Sequence, residues 1–206
     1  MSSYFKTEGV IFKKRDIGEN DRVFAVFTKE FGKVHLRAVS ERKITSKLRS
    51  GLEILYRSDF AFVQGKNKKT ITDVSLLDSY QSVREDLPKL KVAIRMLETL
   101  DMFLRGEIQD LKVWALLTES LEALKNKEAH KENCSRMYYY FFWNLVSHLG
   151  WRPAYDAFEK GTQSILKMFL EQPIPFVLSA GKETFSAPLL RKTTLEYFSR
   201  VLKEVQ

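Results

Sequence analysis

The spacing of apolar residues along the chain changes character near residue 80. Before that point hydrophobic positions recur mostly every second residue; after it they recur close to every 3.6. The first third therefore reads as strands. In Phe5 to Lys14, Val10 and Phe12 share one face, while Gly9, Ile11 and Lys13 share the other. Asp16-Ile-Gly-Glu-Asn-Asp21 is a polar, turn-forming cluster. In Arg22 to Thr28, Val23, Ala25 and Phe27 lie opposite Phe24 and Val26, so both faces are apolar, as in a covered central strand. After Phe31-Gly32-Lys33 a third strand alternates Val34, Leu36 and Ala38 with Lys33, His35 and Arg37. Ile54 to Gln64 and Thr70 to Leu77 form a hairpin around Gly65-Lys-Asn-Lys-Lys69. Five strands with a long connection between the third and fourth predict a small closed barrel, and the five-stranded OB-fold is the natural candidate.

From Pro88 onward the pattern is helical. Leu90, Ile94, Leu97, Leu100 and Leu104 make one stripe. Val113, Leu116, Leu117, Leu121 and Leu124 make a second, with Asp110 placed as its N-cap. Glu132 to Leu149 is aromatic enough to predict a central helix packed on several sides, stopped by Gly150. A last helix, Pro188 to Glu204, turns Leu190, Leu195, Phe198 and Leu202 toward a core. The expected architecture is thus β plus α in two domains: an OB-fold over residues 1–80 and an all-helical domain over 81–206.

Charge sharpens this division. The chain carries a net +8, of which residues 1–79 hold +6 and residues 80–206 hold +2. Residues 37–69 alone contain nine Lys or Arg against three Asp or Glu. That concentration is the footprint of a polyanion-binding surface. The single cysteine, Cys134, allows no internal disulfide and points to a cytosolic protein. The opening residues lack the apolar stretch of a signal peptide, and Met137 to Val146 is too short to span a bilayer, so no membrane role is expected.

Catalytic chemistry finds little purchase. His35, His130 and His148 fall on separate elements, there is no Gly-x-Ser-x-Gly elbow, and Gly65-Lys66 lacks the rest of a phosphate-binding loop. Asp16, Glu19 and Asp21 suggest a divalent metal only weakly, since acids beside Gly18 and Asn20 are ordinary turn chemistry. His130 and Cys134 are four apart but stand alone. The expectation is a protein that is not an enzyme and uses no cofactor. The basic set is stronger. Arg42, Lys43, Lys47 and Arg49 sit in the small, polar connection between strands three and four, where they can neutralise successive phosphates. Lys33 and Arg37 extend that stripe from the preceding strand, and Lys66, Lys68 and Lys69 crown the hairpin. Tyr56, Phe60 and Phe62 share a face of strand four on which a base could stack; for Phe60 and Phe62 core packing accounts better.

The segment Glu8-Gly-Val-Ile-Phe-Lys-Lys-Arg-Asp16-Ile-Gly18-Glu19-Asn-Asp21-Arg22 resembles the opening of the RecO family. Phe27-Thr-Lys-Glu-Phe-Gly32-Lys33, the basic Ser46-Lys47-Leu48-Arg49 stretch and Gly51-Leu52 follow in the family's order. Leu145-Val-Ser-His-Leu149-Gly150-Trp151-Arg-Pro153 is similar to its helix-ending Leu-Gly-aromatic-x-Pro signature. The resemblance implies an OB-fold that binds single- and double-stranded DNA, anneals complementary strands and assists loading of the RecA recombinase. It implies action with RecR and with the acidic C-terminal tail of single-stranded DNA-binding protein, in the cytoplasm and at the nucleoid. One departure stands out. Many members carry two Cys-x-x-Cys pairs that bind zinc after this turn. Here Asp156-Ala-Phe158-Glu-Lys-Gly161 and Thr184-Phe-Ser-Ala187 hold no cysteine. A zinc-free last lobe is expected, packed through Phe158, Phe169, Phe176 and Phe185. Two other readings stay open: an RNA-binding OB-fold protein, and a protein-only helical adaptor whose charge serves solubility.

Overall fold

A computed structural model describes residues 3–66, 68–126, 131–181 and 186–205. Five strands come first: β1 Ser3–Ile17, β2 Asp21–Thr28, β3 Gly32–Ala38, β4 Arg57–Gln64 and β5 Lys69–Asp78. Seven α-helices follow among the described residues. They are α1 Gln81–Arg84, α2 Leu87–Phe103, α3 Leu111–Lys125, α4 Lys131–His148, α5 Lys160–Glu171, α6 Ile174–Ser179 and α7 Ala187–Val205. The strand ends lie within three residues of those expected from the alternation. The helices α1, α5 and α6 have no counterpart in the expected elements. Two are short, and α5 follows a Lys-Gly step and bears Thr, Gln and Ser between its apolar positions, which weakens its periodic signal.

The sheet closes on itself in the order β1-β2-β3-β5-β4. All neighbours are antiparallel except β3 and β5, which meet in parallel through Leu36 opposite Lys69 and Arg37 opposite Thr70. Inside stand Phe24, Val26, Val34, Leu36, Phe60, Phe62 and Ile71, all at most 4% exposed. Phe60 and Phe62 are therefore core residues, and Tyr56 packs against that core beneath the Arg84 guanidinium. Between β3 and β4 a 3-10 turn, Lys47–Gly51, drops Leu48 onto the core and is followed by buried Leu52. Gly51 lies so close to β5 that an added Cβ would come within 2.8 Å of Val74.

The chain forms two compact units. The first contains residues 1–85 and 100–114, so the last turn of α2, the connection after it and the start of α3 belong with the barrel. Here Gly32, at φ +66°, lies against the backbone of Ile108. Trp114 covers Phe27 on the outer face of β2, with ring centroids 5.9 Å apart. The Lys33 ammonium donates to the carbonyls of Asp101 and Leu104 at 3.0 and 3.4 Å, capping the end of α2 where the helix dipole is negative.

The second unit contains residues 86–99 and 115–206. As its composition predicts, α4 is buried on several sides, through Met137, Tyr138, Phe141, Phe142, Trp143, Leu145 and Val146. It ends at Gly150, φ +99°, where the Trp151 amide returns to the Val146 carbonyl at 2.8 Å. Buried Arg136 donates to the carbonyls of Ala180 and Gly181 after α6. Two expectations need correction. Phe176 is 52% and Leu195 is 46% exposed; α6 turns Val177 inward instead, and α7 buries Leu190, Thr194 and Val201. Leu190 is buried as expected and Phe198 packs on Phe142, but the inward position expected at Leu195 falls one residue earlier, because hydrophobicity alone turns the polar Thr194 outward. Phe169 is fully buried and Phe158 packs on Trp143, whereas Phe185 lies outside the described residues. No helix among the described residues is long and apolar enough to cross a membrane.

Candidate nucleic-acid interface

Because strand side chains alternate, the residues that do not fill the barrel decorate it. On β2 and β3 the outward pairs are Val23 opposite Arg37, Ala25 opposite His35 and Phe27 opposite Lys33. The first two rows set a small apolar residue beside a basic one. They continue onto β1, where Arg15 faces Val23 and Lys13 faces Ala25. This continuation depends on a bulge. Ile11 pairs with Val26, an inward residue, while Lys13 pairs with Ala25, an outward one, so the register slips at Phe12. Strict alternation puts Ile11 and Lys13 on one face; the extra residue turns Lys13 and Arg15 outward. Alternation alone therefore does not reveal these two cations. The sequence places His35 on the strand face of Lys33 and Arg37 and sets it aside as a catalytic group, without marking it as a binding residue.

The parallel meeting of β3 with β5 brings the β4–β5 turn beside Arg37. Together they enclose an open groove of ≈ 470 Å³, floored by Val23 and His35 and edged by Arg37, Lys66, Lys68 and Lys69. A second hollow of ≈ 280 Å³ shares Val23 and His35 and is edged by Lys13, Lys14 and Arg15. The two form one basic path across the outer face of β1, β2 and β3. Its floor offers apolar and imidazole surface suited to a base, and its edges offer cations suited to phosphates.

The basic residues predicted from sequence separate into three groups. Arg37, Lys66, Lys68 and Lys69 border the groove. Lys33 points to the same outer face but is committed elsewhere, paired with Asp101 at 2.5 Å as well as to two carbonyls, with Phe12 beneath it. Arg42, Lys43, Lys47 and Arg49 are exposed on the β3–β4 connection and border neither hollow. The start of that connection is tied to the β1–β2 turn. The Arg42 amide donates to the Asn20 carbonyl at 3.1 Å, and its guanidinium lies 3.6 Å from Asp16. Among the described residues Lys43, Lys47, Arg49, Lys66 and Lys68 make no ion pair, which leaves their charge available.

The turn carboxylates serve these arginines. Arg22 donates to Asp16 at 2.6 Å and to buried Glu41 at 3.2 Å. Asp21 accepts from the Ser40 amide at 2.8 Å and from Arg37 Nε at 3.0 Å. The Arg22 hydrogen bond lowers the Asp16 carboxyl below its ordinary range; the Ser40 amide, then Arg37, do the same for Asp21. A carboxyl depressed in the folded state adds stability above its unfolded pKa, and loses it as pH falls through the folded value. The barrel should therefore weaken below about pH 4. Acid titration of a D16N/D21N double variant, followed by aromatic circular dichroism, is expected to show a shallower loss than the natural chain. Equal slopes would place the acid-sensitive carboxyls elsewhere. Of the other pair considered as metal ligands, Cys134 is buried and His130 lies outside the described residues.

Comparison with known proteins adds lineage to this geometry. The model of the N-terminal region of recombination protein O matches residues 1–80. The DNA repair protein RecO of Moorella thermoacetica is 34% identical over 129 residues, covering 62% of this chain and 48% of that protein. The first 80 residues thus match the N-terminal region of the RecO family, and the chain is similar to RecO proteins. RecO of Dehalococcoides mccartyi is 33% identical over 149 residues, covering 72% of this chain and 57% of the relative. RecO of Caldanaerobacter subterraneus aligns with 97% of the chain and 81% of its own length, at 25% identity. In the first two matches the chain spans about half of its RecO relative.

Proposed function

We propose that this chain is a DNA-binding recombination mediator of recombinational repair, with its barrel serving as an OB-fold. The reading has residues 1–80 as the nucleic-acid-binding domain and residues 81–206 as a helical body for protein contacts. The observation that carries it is the basic path over β1, β2 and β3, edged by the β4–β5 turn. In OB-folds the same strand faces and the corresponding loops bind oligonucleotides. Arg37, Lys66, Lys68 and Lys69, with Lys13 and Arg15, would hold the phosphates. Arg42, Lys43, Lys47 and Arg49 would form a second, exposed strip that meets a further strand, while Lys33 acts by holding Asp101 at the edge of the second hollow. Screening two backbones at once lowers the repulsion between complementary strands and lets them anneal. No bond is made or broken and no cofactor is used. The similarity to RecO proteins supports RecR, the tail of single-stranded DNA-binding protein and the RecA recombinase as functional partners, in the cytoplasm and away from membranes.

The test is annealing of two complementary oligonucleotides without magnesium or nucleotide. Acceleration at low salt that disappears at high salt is the expected result. Binding without annealing would reduce the reading to strand recognition. A preference for RNA over DNA of equal sequence would favour the RNA-binding alternative, and no binding at low salt would favour a protein-only adaptor.

A further inference from the structure

The cations of the groove do not all face solvent unpaired. Lys69 donates to the Glu107 carboxylate, and Glu107 itself borders the groove. Asp101, beside the second hollow, takes Lys33 and approaches Lys13 at 3.6 Å; Asp21 takes Arg37. Two of these three ion pairs are anchored by backbone as well. Lys33 also grips the carbonyls of Asp101 and Leu104, and Asp21 also holds the Ser40 amide. Glu107 differs. Among the described residues its side chain meets only Lys69, and it is 48% exposed while the Lys69 side chain is 16% exposed. The cation is the enclosed half of the pair and the carboxylate is the half open to solvent. It follows Gly106, whose Cβ position has nothing within 4 Å.

A carboxylate and a phosphodiester present the same group to an ammonium: anionic oxygens accepting a charge-assisted hydrogen bond. We propose that Glu107 occupies the phosphate site of Lys69, as an internal stand-in that an incoming strand displaces. This rests on the nucleic-acid reading of the groove and adds to it a residue that sets affinity. A lone anion gains nothing by the exchange, because it replaces one carboxylate contact with one of its own. A strand whose neighbouring phosphates already reach Lys66, Lys68 and Arg37 displaces Glu107 at little further entropic cost. The pair thus filters polyanions from small anions. It also mutes salt dependence, since the freed carboxylate gathers a cation as the strand releases one.

The experiment is a binding titration of the full chain with a labelled oligothymidylate across salt, comparing the natural protein, E107Q, K69Q and the double variant. E107Q is expected to bind about two- to fivefold more tightly at low salt, the range of an exposed ion pair. Its salt slope should steepen by about 0.7, one released counterion on a single strand. Both changes should vanish in the double variant. E107A should behave as E107Q does, which separates loss of charge from any effect of the amide. If E107Q binds no more tightly while K69Q still weakens binding, Glu107 merely ties its segment down and the inference fails, with the groove reading intact. If K69Q has no effect in either background, Lys69 has no phosphate site and both fall together.

Discussion

Replacing Gly32 by alanine is expected to lower the stability of the barrel unit by about 2–5 kcal/mol. Two independent costs make up that figure. Gly32 sits at φ +66°, where an L side chain is disfavoured by roughly 1–2 kcal/mol. A Cβ there would also lie 2.1 Å from the Ile108 carbonyl oxygen and 2.6 Å from its carbon. Those atoms are backbone, so no rotamer change relieves the overlap, and overpacking of this kind costs about 1–3 kcal/mol. The thermal midpoint should fall by about 10 °C or more. Gly106→Ala is the control. It has the same backbone demand, φ +74°, but open space around the Cβ, so it should lose only about 1–2 kcal/mol. Equal losses in the two variants would mean that the segment around Ile108 does not bear on Gly32. The consequence reaches function, because that segment carries Glu107 and so sets one edge of the groove.

The second large effect concerns binding. Substituting Arg37, Lys66 and Lys68 together with glutamine should weaken oligonucleotide binding at low salt by about one to two orders of magnitude. It should flatten the salt slope by about 0.7 for each phosphate that is no longer neutralised. Lys66 and Lys68 are exposed hairpin residues, and Arg37 is half-buried, so the fold should persist. The quadruple replacement of Arg42, Lys43, Lys47 and Arg49 removes more charge. It should nevertheless cost less in single-strand affinity, since none of the four borders the groove, while annealing suffers more. The opposite ranking would move the strand onto the β3–β4 connection.

Much of this is legible in the residues. Alternation in Val34 to Ala38 and the apolar run Val23 to Phe27 define β3 and β2, and the charge asymmetry across residue 80 assigns the basic surface to the barrel half. The hairpin lysines stand out because Gly65-Lys-Asn-Lys-Lys69 is both a turn and a charge cluster. What stays hidden depends on three dimensions. Lys13 and Arg15 reach the second hollow through a bulge at Phe12, and one added residue reverses every assignment of face beyond it. The commitment of Lys33 to the end of α2 needs a partner 68 residues away, which no local pattern reveals. Arg37 and Lys66 become neighbours only because β3 meets β5 in parallel. On the helical side, hydrophobicity alone places Leu195 inward, whereas α7 buries Thr194.

In the proposed complex a nucleic-acid strand runs over the outer face of β1, β2 and β3. Amide NMR of the full chain titrated with a short oligothymidylate tests it directly. The largest shifts are expected at Lys13, Arg15, Val23, Ala25, His35, Arg37, Lys66 and Lys68, fading as salt is raised. Shifts confined to residues 42–49, or to the helices α5 to α7, would contradict it.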